Sequence, residues 1–321
     1  MNYYLFKLQF STAVHFGSSD SALSLYDSDD HFCADTLFSA LCHTAKSLYG
    51  NDGVDRLCRF VQNHQLRFSD SMPWYGDEYF LPKPYVVSEH KTELPTQLRK
   101  AIKKLKWIEL SSFQAFTDSV HGGEVYQPQQ QRFGLLGEQT KVNLTGEESL
   151  PYQVGTYQFY PNCGLYFLAG CDDEETVGYL NKLVTALGIS GIGGKVTSGY
   201  GKFSVVQVID LEQVQNRDLL WLNCALKQKN GGRQMLLTTS LPTDAELERA
   251  MDGASYQLVR RSGFANALGN GNGFFKKQTQ FYLAAGSLLG ISFKGDLYQV
   301  SCGVEHPVYR YSMPIFLEVA L

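Results

Sequence analysis

The 321-residue sequence holds no apolar stretch long enough to span a bilayer, and no cleavage site follows its apolar start, Met1–Phe10. Neither a membrane anchor nor a secretory leader is therefore expected. It also has no C-x-x-C pair. Seven cysteines, an odd number, are scattered from Cys33 to Cys302. That fits reduced thiols in a cytoplasmic protein better than a disulfide framework. His31, Cys33, Cys42 and His43 are close in sequence, but adjacent residues on a helix diverge by about 100°, so no metal site is expected, and no cofactor motif is present. A basic excess is missing as well. The net charge of −4 excludes a freestanding, strongly basic nucleic-acid binder, yet one basic face would suffice, because affinity follows local charge and backbone donors. With 44% hydrophobic and 13% aromatic residues no segment reads as a disordered tail, and the length allows two compact domains.

What the chain has in quantity is glycine, concentrated in Gly188–Phe203, G-I-S-G-I-G-G-K-V-T-S-G-Y-G-K-F. Gly188, Gly191, Gly193, Gly194, Gly199 and Gly201 are interleaved with Lys195, Ser198, Tyr200 and Lys202. A run so free of side chains can bring backbone N–H groups against an anion, with a lysine adding charge. It is neither a Walker A loop, since Ile189 and Val196 stand where glycine and a hydroxyl residue are needed, nor a dinucleotide fingerprint, since Val196 replaces its last glycine. The plain alternative is a helix capped by Gly188 and an ordinary turn.

Tyr3–Phe10 reads as a strand. Asp35 is placed as the N-cap of a helix whose face is Leu37, Leu41, Ala45 and Leu48, with Gly50 at its end and a second short helix over Asp55–His64. Met72–Pro84 is aromatic-rich and extended, and Leu98–Leu110 carries the densest basic run, read as a solvated helix face or an RNA contact. Thr117–Tyr152 is a polar insertion too long for a simple connection. Gly155–Tyr160 and Leu165–Gly170 are expected to form a hairpin around Pro161-Asn162, followed by a helix with Val177, Leu180, Leu183, Val184 and Leu187 on one face, the glycine loop, and the strand Phe203–Ile209. That is a β-α-β-β-α-β order. The second half repeats the theme: strand Met235–Ser240, a short helix to Met251, strand Tyr256–Arg260, a glycine-rich insertion Phe264–Phe275, strand Gln278–Ala284 and a terminal strand Ile315–Val319. The boundary falls near Asp210–Gln215, giving domains 1–210 and 211–321.

H-F-G at His15–Gly17, A-D-T-L-F-S-A-L at Ala34–Leu41, Y-F-L-P-K-P at Tyr79–Pro84, G-L-Y-F-L at Gly164–Leu168, G-I-G-G-K-V-T-S-G-Y-G-K-F at Gly191–Phe203 and H-P-V-Y-R-Y at His306–Tyr311 occur in this order. Together they resemble the family of subunit four of the Csm complex, a type III-A CRISPR RNA-guided effector, in the RAMP superfamily. The resemblance runs nearly end to end. It implies an α+β fold of two ferredoxin-like (RRM-like) domains, a β-hairpin thumb within Thr117–Tyr152 and the glycine-rich loop. It further implies a non-catalytic subunit that holds the repeat-derived 5′ tag of crRNA and docks on the large polymerase/cyclase subunit and on the first backbone subunit, Csm subunit three. The family often has an arginine after the segment matching Lys141-Val142-Asn143, where this chain has Leu144, and a second basic residue after the loop lysine, where it has Val196. Lys195 then carries more of the loop's charge.

A single-stranded tag needs backbone donors for phosphates, hydroxyls for 2′-OH groups and flat side chains for bases. The expected contacts are Gly17, Gly191, Gly193, Gly194 and Gly199 for close approach, Lys141, Asn143 and Lys195 from thumb and loop, and Ser198 as a hydroxyl. Tyr200 would stack or belong to the core. His15 would donate to phosphate, stack, or be an unremarkable loop histidine. Arg260 and Arg261 alternate across a strand, so at most one reaches RNA, and Arg310 contacts RNA or is a partner-facing or salt-bridged surface residue. No catalytic residue is assigned. Two competing readings stay open: a metal-independent CRISPR endoribonuclease using His15 or His43, and a purely structural subunit. Against the first, residues 204–321 follow a glycine loop that such enzymes carry near the C-terminus.

Overall fold

The structure is a computed structural model that describes residues 1–17, 24–86, 95–129, 131–145, 148–228, 231–266, 274–300 and 306–321, without the side chains of 143–145, 148–149, 265–266 and 274–275. The first half runs β1 (Asn2–Phe10), α1 (Ala34–Gln62), β2 (Leu66–Phe68), β3 (Met72–Tyr75), β4 (Glu78–Pro82), α2 (Thr96–Lys104), β5 (Trp107–Glu109), α3 (Phe113–Val120), β6 (Gly134–Thr145), β7 (Glu148–Phe159), β8 (Cys163–Cys171), α4 (Glu174–Ser190) and β9 (Phe203–Asp210). The second runs α5 (Arg217–Lys227), β10 (Arg233–Leu236), α6 (Asp244–Met251), β11 (Leu258–Arg261), β12 (Phe264–Asn266), β13 (Phe274–Lys276), β14 (Gln280–Leu283), β15 (Leu288–Leu289), β16 (Leu297–Gln299), β17 (Tyr309–Tyr311) and β18 (Phe316–Val319). The class is mixed α+β with antiparallel sheets. Among the described residues no helix is long and apolar enough to cross a membrane.

The central sheet has the order β5-β4-β3-β8-β1-β9, with β2 and β3 sharing one edge of β8. Alternation along β1 decides how it is buried. Phe6, Leu8 and Phe10 join the core under α1 and α4, and Phe6 stacks on its cross-strand partner Phe167 at 4.9 Å. Leu5 points the other way and packs, with Tyr166 and Leu168, against Leu219 and Leu222 of α5, Met235 of β10 and Leu317 of β18. Residues on both sides of Asp210 thus share one core. Two-sided burial explains why β8 is apolar almost throughout.

Several expectations are corrected. β7 and β8 do not form a hairpin: the chain turns at Pro161-Asn162, but both edges of β8 are taken by β1 and by β2 with β3, so β7 pairs along its whole length with β6 instead. The polar insertion is therefore a hairpin of two 12-residue strands reaching to Phe159, beyond Tyr152. Gly50, with φ 68°, does break α1 into two helical pieces. No expectation covered α5, although Asn216 caps it through Asp218 and Leu219 N–H and Leu219, Leu222 and Leu226 mark its inner face.

Asp35 is not the N-cap of α1. The first helical N–H, that of Ala34, donates to Asp70 Oδ1 at 2.8 Å, while Asp70 Oδ2 accepts from Thr239 N and Thr239 Oγ1 at 2.9 and 2.6 Å. Beside it Thr238 Oγ1 donates to Phe68 O and Phe68 N–H donates to Tyr311 Oη. One buried carboxylate thus ties α1 to both halves of the chain. Asp70→Asn leaves one acceptor for donors on both sides and is expected to cost about 2 kcal/mol, read as a lower urea midpoint with an unchanged slope.

Candidate nucleic-acid interface

α4 packs Leu180, Leu183, Val184 and Leu187 inward and ends at Ser190, with Gly191 (φ 94°) as its cap. Gly188, expected as the cap, instead lies within the helix, where a Cβ would stand 2.3 Å from Phe203 O. The segment after the cap is folded onto itself and onto the stretch that follows β1. Ile192 N–H donates to Gly201 O, Gly201 N–H to Ala13 O and Gly194 N–H to His15 O; Ser198 and Gly199 N–H close a local turn. Many of the donors expected to meet an anion are thereby engaged inside the protein. The glycines are required by contact: a Cβ on Gly201 would lie 2.0 Å from Ile192 O, and one on Gly191 2.5 Å from Tyr200 O.

On one side this segment abuts the β6–β7 hairpin. Lys195 Nζ lies over the Tyr152 ring, 4.8 Å from its centroid, and Lys141 Nζ lies over the Tyr200 ring at 5.0 Å. Tyr200 is 5% exposed and its hydroxyl donates to Gln139 Oε1, so it is a packed residue. Ser198 is exposed and Gly199 half-buried. Asn143 lies on β6, but its side chain is outside the described residues.

On the other side opens a cleft of about 1000 Å³. Thr36, Ser39, His43 and Ser47, three to four residues apart on α1, form one wall. His15, Gly17, Gly191, Gly193 and Gly194 form the floor, and Arg260, Arg261, Arg310, Lys276 and Lys277 stand opposite. Tertiary folding thus gathers residues from four distant stretches, eight of them among the fourteen expected contacts. Lys276 and Lys277 were not anticipated. Their signal was the pair of lysines closing the second glycine-rich insertion.

The arginines are not equivalent. Arg261 makes a bidentate pair with Asp35, Nε to Oδ2 at 3.0 Å and Nη2 to Oδ1 at 2.6 Å, and also donates to Thr36 Oγ1. Arg310, 3% exposed, donates to the carbonyls of Arg261 and Ser262. It is therefore a buried brace and not a surface residue. Arg260 shares the opposite strand face with Phe281, its partner in register. His15 is 6% exposed, with Nδ1 2.7 Å from Gly155 O. Burial pushes its pKa down, the Gly155 carbonyl pulls it up and Lys195 pushes it down again; the net direction is down. His43 is also shifted down, by burial and then by Lys277 and His306. Among the described residues no group of three or more His, Cys, Asp or Glu is arranged to hold a metal ion.

Comparison with solved structures first defines a class. The chain shares its fold with a chain of a Csm3-Csm4 subcomplex of the type III-A CRISPR-Cas interference complex (TM-score 0.66, 18% identity, 99% of each chain covered). A Csm1-Csm4 cassette in complex with cA4 matches as well (TM-score 0.65, 19% identity, 100% and 99% covered). Sequence comparison then narrows it. The profile of the CRISPR Csm4 C-terminal domain matches residues 229–319. The CRISPR system Cms protein Csm4 of Mycobacterium tuberculosis (strain CDC 1551 / Oshkosh) is 32% identical over 320 residues, covering 99% of this chain and 98% of the relative. That of Streptococcus thermophilus is 30% identical over 329 residues, covering 99% of each. The chain belongs to the Csm4 family.

Two outcomes are expected. Burial pushes the Asp35 carboxyl up, but the adjacent Arg261 charge and hydrogen bonds outweigh it, so the folded-state pKa lies below the ordinary carboxylate value. A depressed pKa stabilises above the unfolded-state value and is lost as pH falls through the folded-state value. Asp35→Asn should therefore cost about 3 kcal/mol at neutral pH, and the gap to the parent protein in denaturation midpoint should close on acidification. Gly201→Ala (φ 74°, blocked by Ile192 O) should lower the melting temperature far more than Gly199→Ala (φ 89°, open space), whose cost is backbone strain of about 1 kcal/mol.

Proposed function

We propose that this chain is a non-catalytic, RNA-binding subunit of a cytoplasmic type III-A CRISPR interference complex. It holds the repeat-derived 5′ tag of crRNA and docks on the large polymerase/cyclase subunit and on the first backbone subunit. The observation that carries the reading is a single cleft lined by Arg260, Lys276 and Lys277, by the hydroxyls of α1 and by Gly191, Gly193 and Gly194. A basic wall, hydroxyls and close backbone approach are what a single strand of RNA needs, and they make up one basic face on a chain of net charge −4. The relatives occur in structures with Csm1 and with Csm3, which supports the two protein partners. The succession β1-α1-β2-β8-α4-β9, with β3 to β7 inserted between β2 and β8 and the sheet neighbours β9-β1-β8-β2, supports a ferredoxin-like, RRM-related first domain, with a second such domain in the remainder. The β6–β7 hairpin, braced by Lys195 and Lys141 against the glycine segment, is the thumb that separates tag from guide.

One finding favours a second reading. The glycine segment spends many of its amides internally, as it would in a subunit that serves only to join proteins. The two readings part in one experiment. The chain, co-expressed with its large-subunit partner, is mixed with labelled RNA bearing the tag or a scrambled tag, with and without magnesium. The expected outcome is a tag-dependent shift with intact RNA, weakened by Lys195→Ala with Ser198→Ala. Lys276→Ala is expected to weaken binding to both RNAs and to reduce the salt dependence by about one ion. Retention unchanged in these variants would support the structural subunit, and RNA cut without metal, lost in His15→Ala, would make the chain a nuclease.

A further inference from the structure

The bonding of His15 fixes which hydrogen-bonding group it offers to the cleft. The bridge between Val14 and Tyr157 pins the segment after β1 against β7, and there His15 Nδ1 meets Gly155 O at 2.7 Å. A carbonyl oxygen only accepts, so the proton sits on Nδ1. Burial and the Lys195 charge disfavour a second one, and Nε2 is left as a lone pair. Among the described residues the ring makes its hydrogen bond through Nδ1. The Nε2 edge of the ring is flanked by glycine: a Cβ on Gly17 would come within 3.3 Å of Nε2, and one on Gly194 within 2.6 Å of Cδ2. Any other residue at either place would crowd this edge.

A lone pair repels a phosphate oxygen and requires a donor. Along a nucleic-acid backbone the one donor is the ribose 2′-hydroxyl, which DNA lacks. We infer that His15 is the residue by which the cleft distinguishes RNA from DNA: Nε2 accepts a hydrogen bond from the 2′-hydroxyl of one nucleotide of the tag. The inference rests on the tag-holding reading. Gly194 leaves this edge of the ring uncrowded for the sugar edge of a strand whose phosphates meet the charge of Lys276, which lines the same cleft.

The test pairs two variants with a 2′-deoxy scan. In His15→Asn the amide can still donate to Gly155 O but nothing stands at the Nε2 position; in His15→Gln an amide oxygen can occupy it. Binding of fluorescein-labelled tagged RNA, and of versions with a single 2′-deoxy nucleotide at each tag position, is followed by anisotropy on the complex of the full chain with its large-subunit partner. The parent protein is expected to lose about three- to tenfold in affinity at one position. His15→Asn should bind all-ribose RNA weaker by the same factor and be indifferent to deoxy substitution there, and His15→Gln should restore part of the sensitivity. Persistence of the parent's deoxy sensitivity in a folded His15→Asn protein would overturn the inference. So would a parent protein insensitive at every tag position, whatever the variants do, or a loss reproduced only by removing a base amine. Failure of the parent protein to prefer tagged over scrambled RNA would overturn instead the reading beneath it.

Discussion

A carboxylate on the first turn of α1 and a guanidinium on β11, 226 residues apart in sequence, form the buried pair on which the geometry of the cleft depends. Asp35 and Arg261 stand on opposite walls, and Arg310 braces the pair by gripping the carbonyls of Arg261 and Ser262. Two desolvated charges are tolerated only when each is satisfied with good geometry. Here the bidentate contact and the Thr36 hydroxyl supply that satisfaction. The price is that two of the three arginines expected to meet RNA are taken up in holding the walls together. Lys276 at the end of β13 and Lys277 after it line the same cleft.

The same logic governs the glycine segment. Its composition invites a phosphate-binding interpretation, yet its amides close onto Leu187, Ala13 and His15 and onto one another. Glycine is needed where backbone meets backbone too closely for a Cβ, and a ligand is only one of the things that can approach so closely. In this chain the nearest neighbour is the stretch after β1. Packing the two together places His15 and Gly17 beside Gly193 and Gly194 and so builds the floor. Lys195 and Tyr200, the side chains that gave the segment its chemical character, turn to the hairpin instead and brace it at Tyr152 and Lys141 through rings and cations.

Much of the scaffold was legible in the residues. The strand composition of β1, the break at Gly50 and the apolar face of α4 each follow from local rules, and the structure bears them out. The pairing of strands was not legible where edges compete. Pro161-Asn162 makes a turn, but whether its flanking strands pair depends on who occupies the edges of β8, and that is settled by β1, β2 and β3 from elsewhere in the chain. Asp35 shows the same limit. An aspartate at a helix start satisfies the local rule for a cap, but the rule is overridden because Asp70 reaches the helix terminus first in space and Arg261 offers Asp35 a full charge.

The sequence by itself determined most of the elements and the family, because these rest on composition, periodicity and ordered motifs that survive without coordinates. Tertiary structure alone decided which arginines are engaged inside the fold and which tautomer His15 holds. Both depend on partners hundreds of residues away or across a hairpin, Asp35 for Arg261 and Gly155 for His15. A charge or a lone pair is free or engaged only in relation to what the fold brings within about 3 Å of it, and no local pattern records that distance.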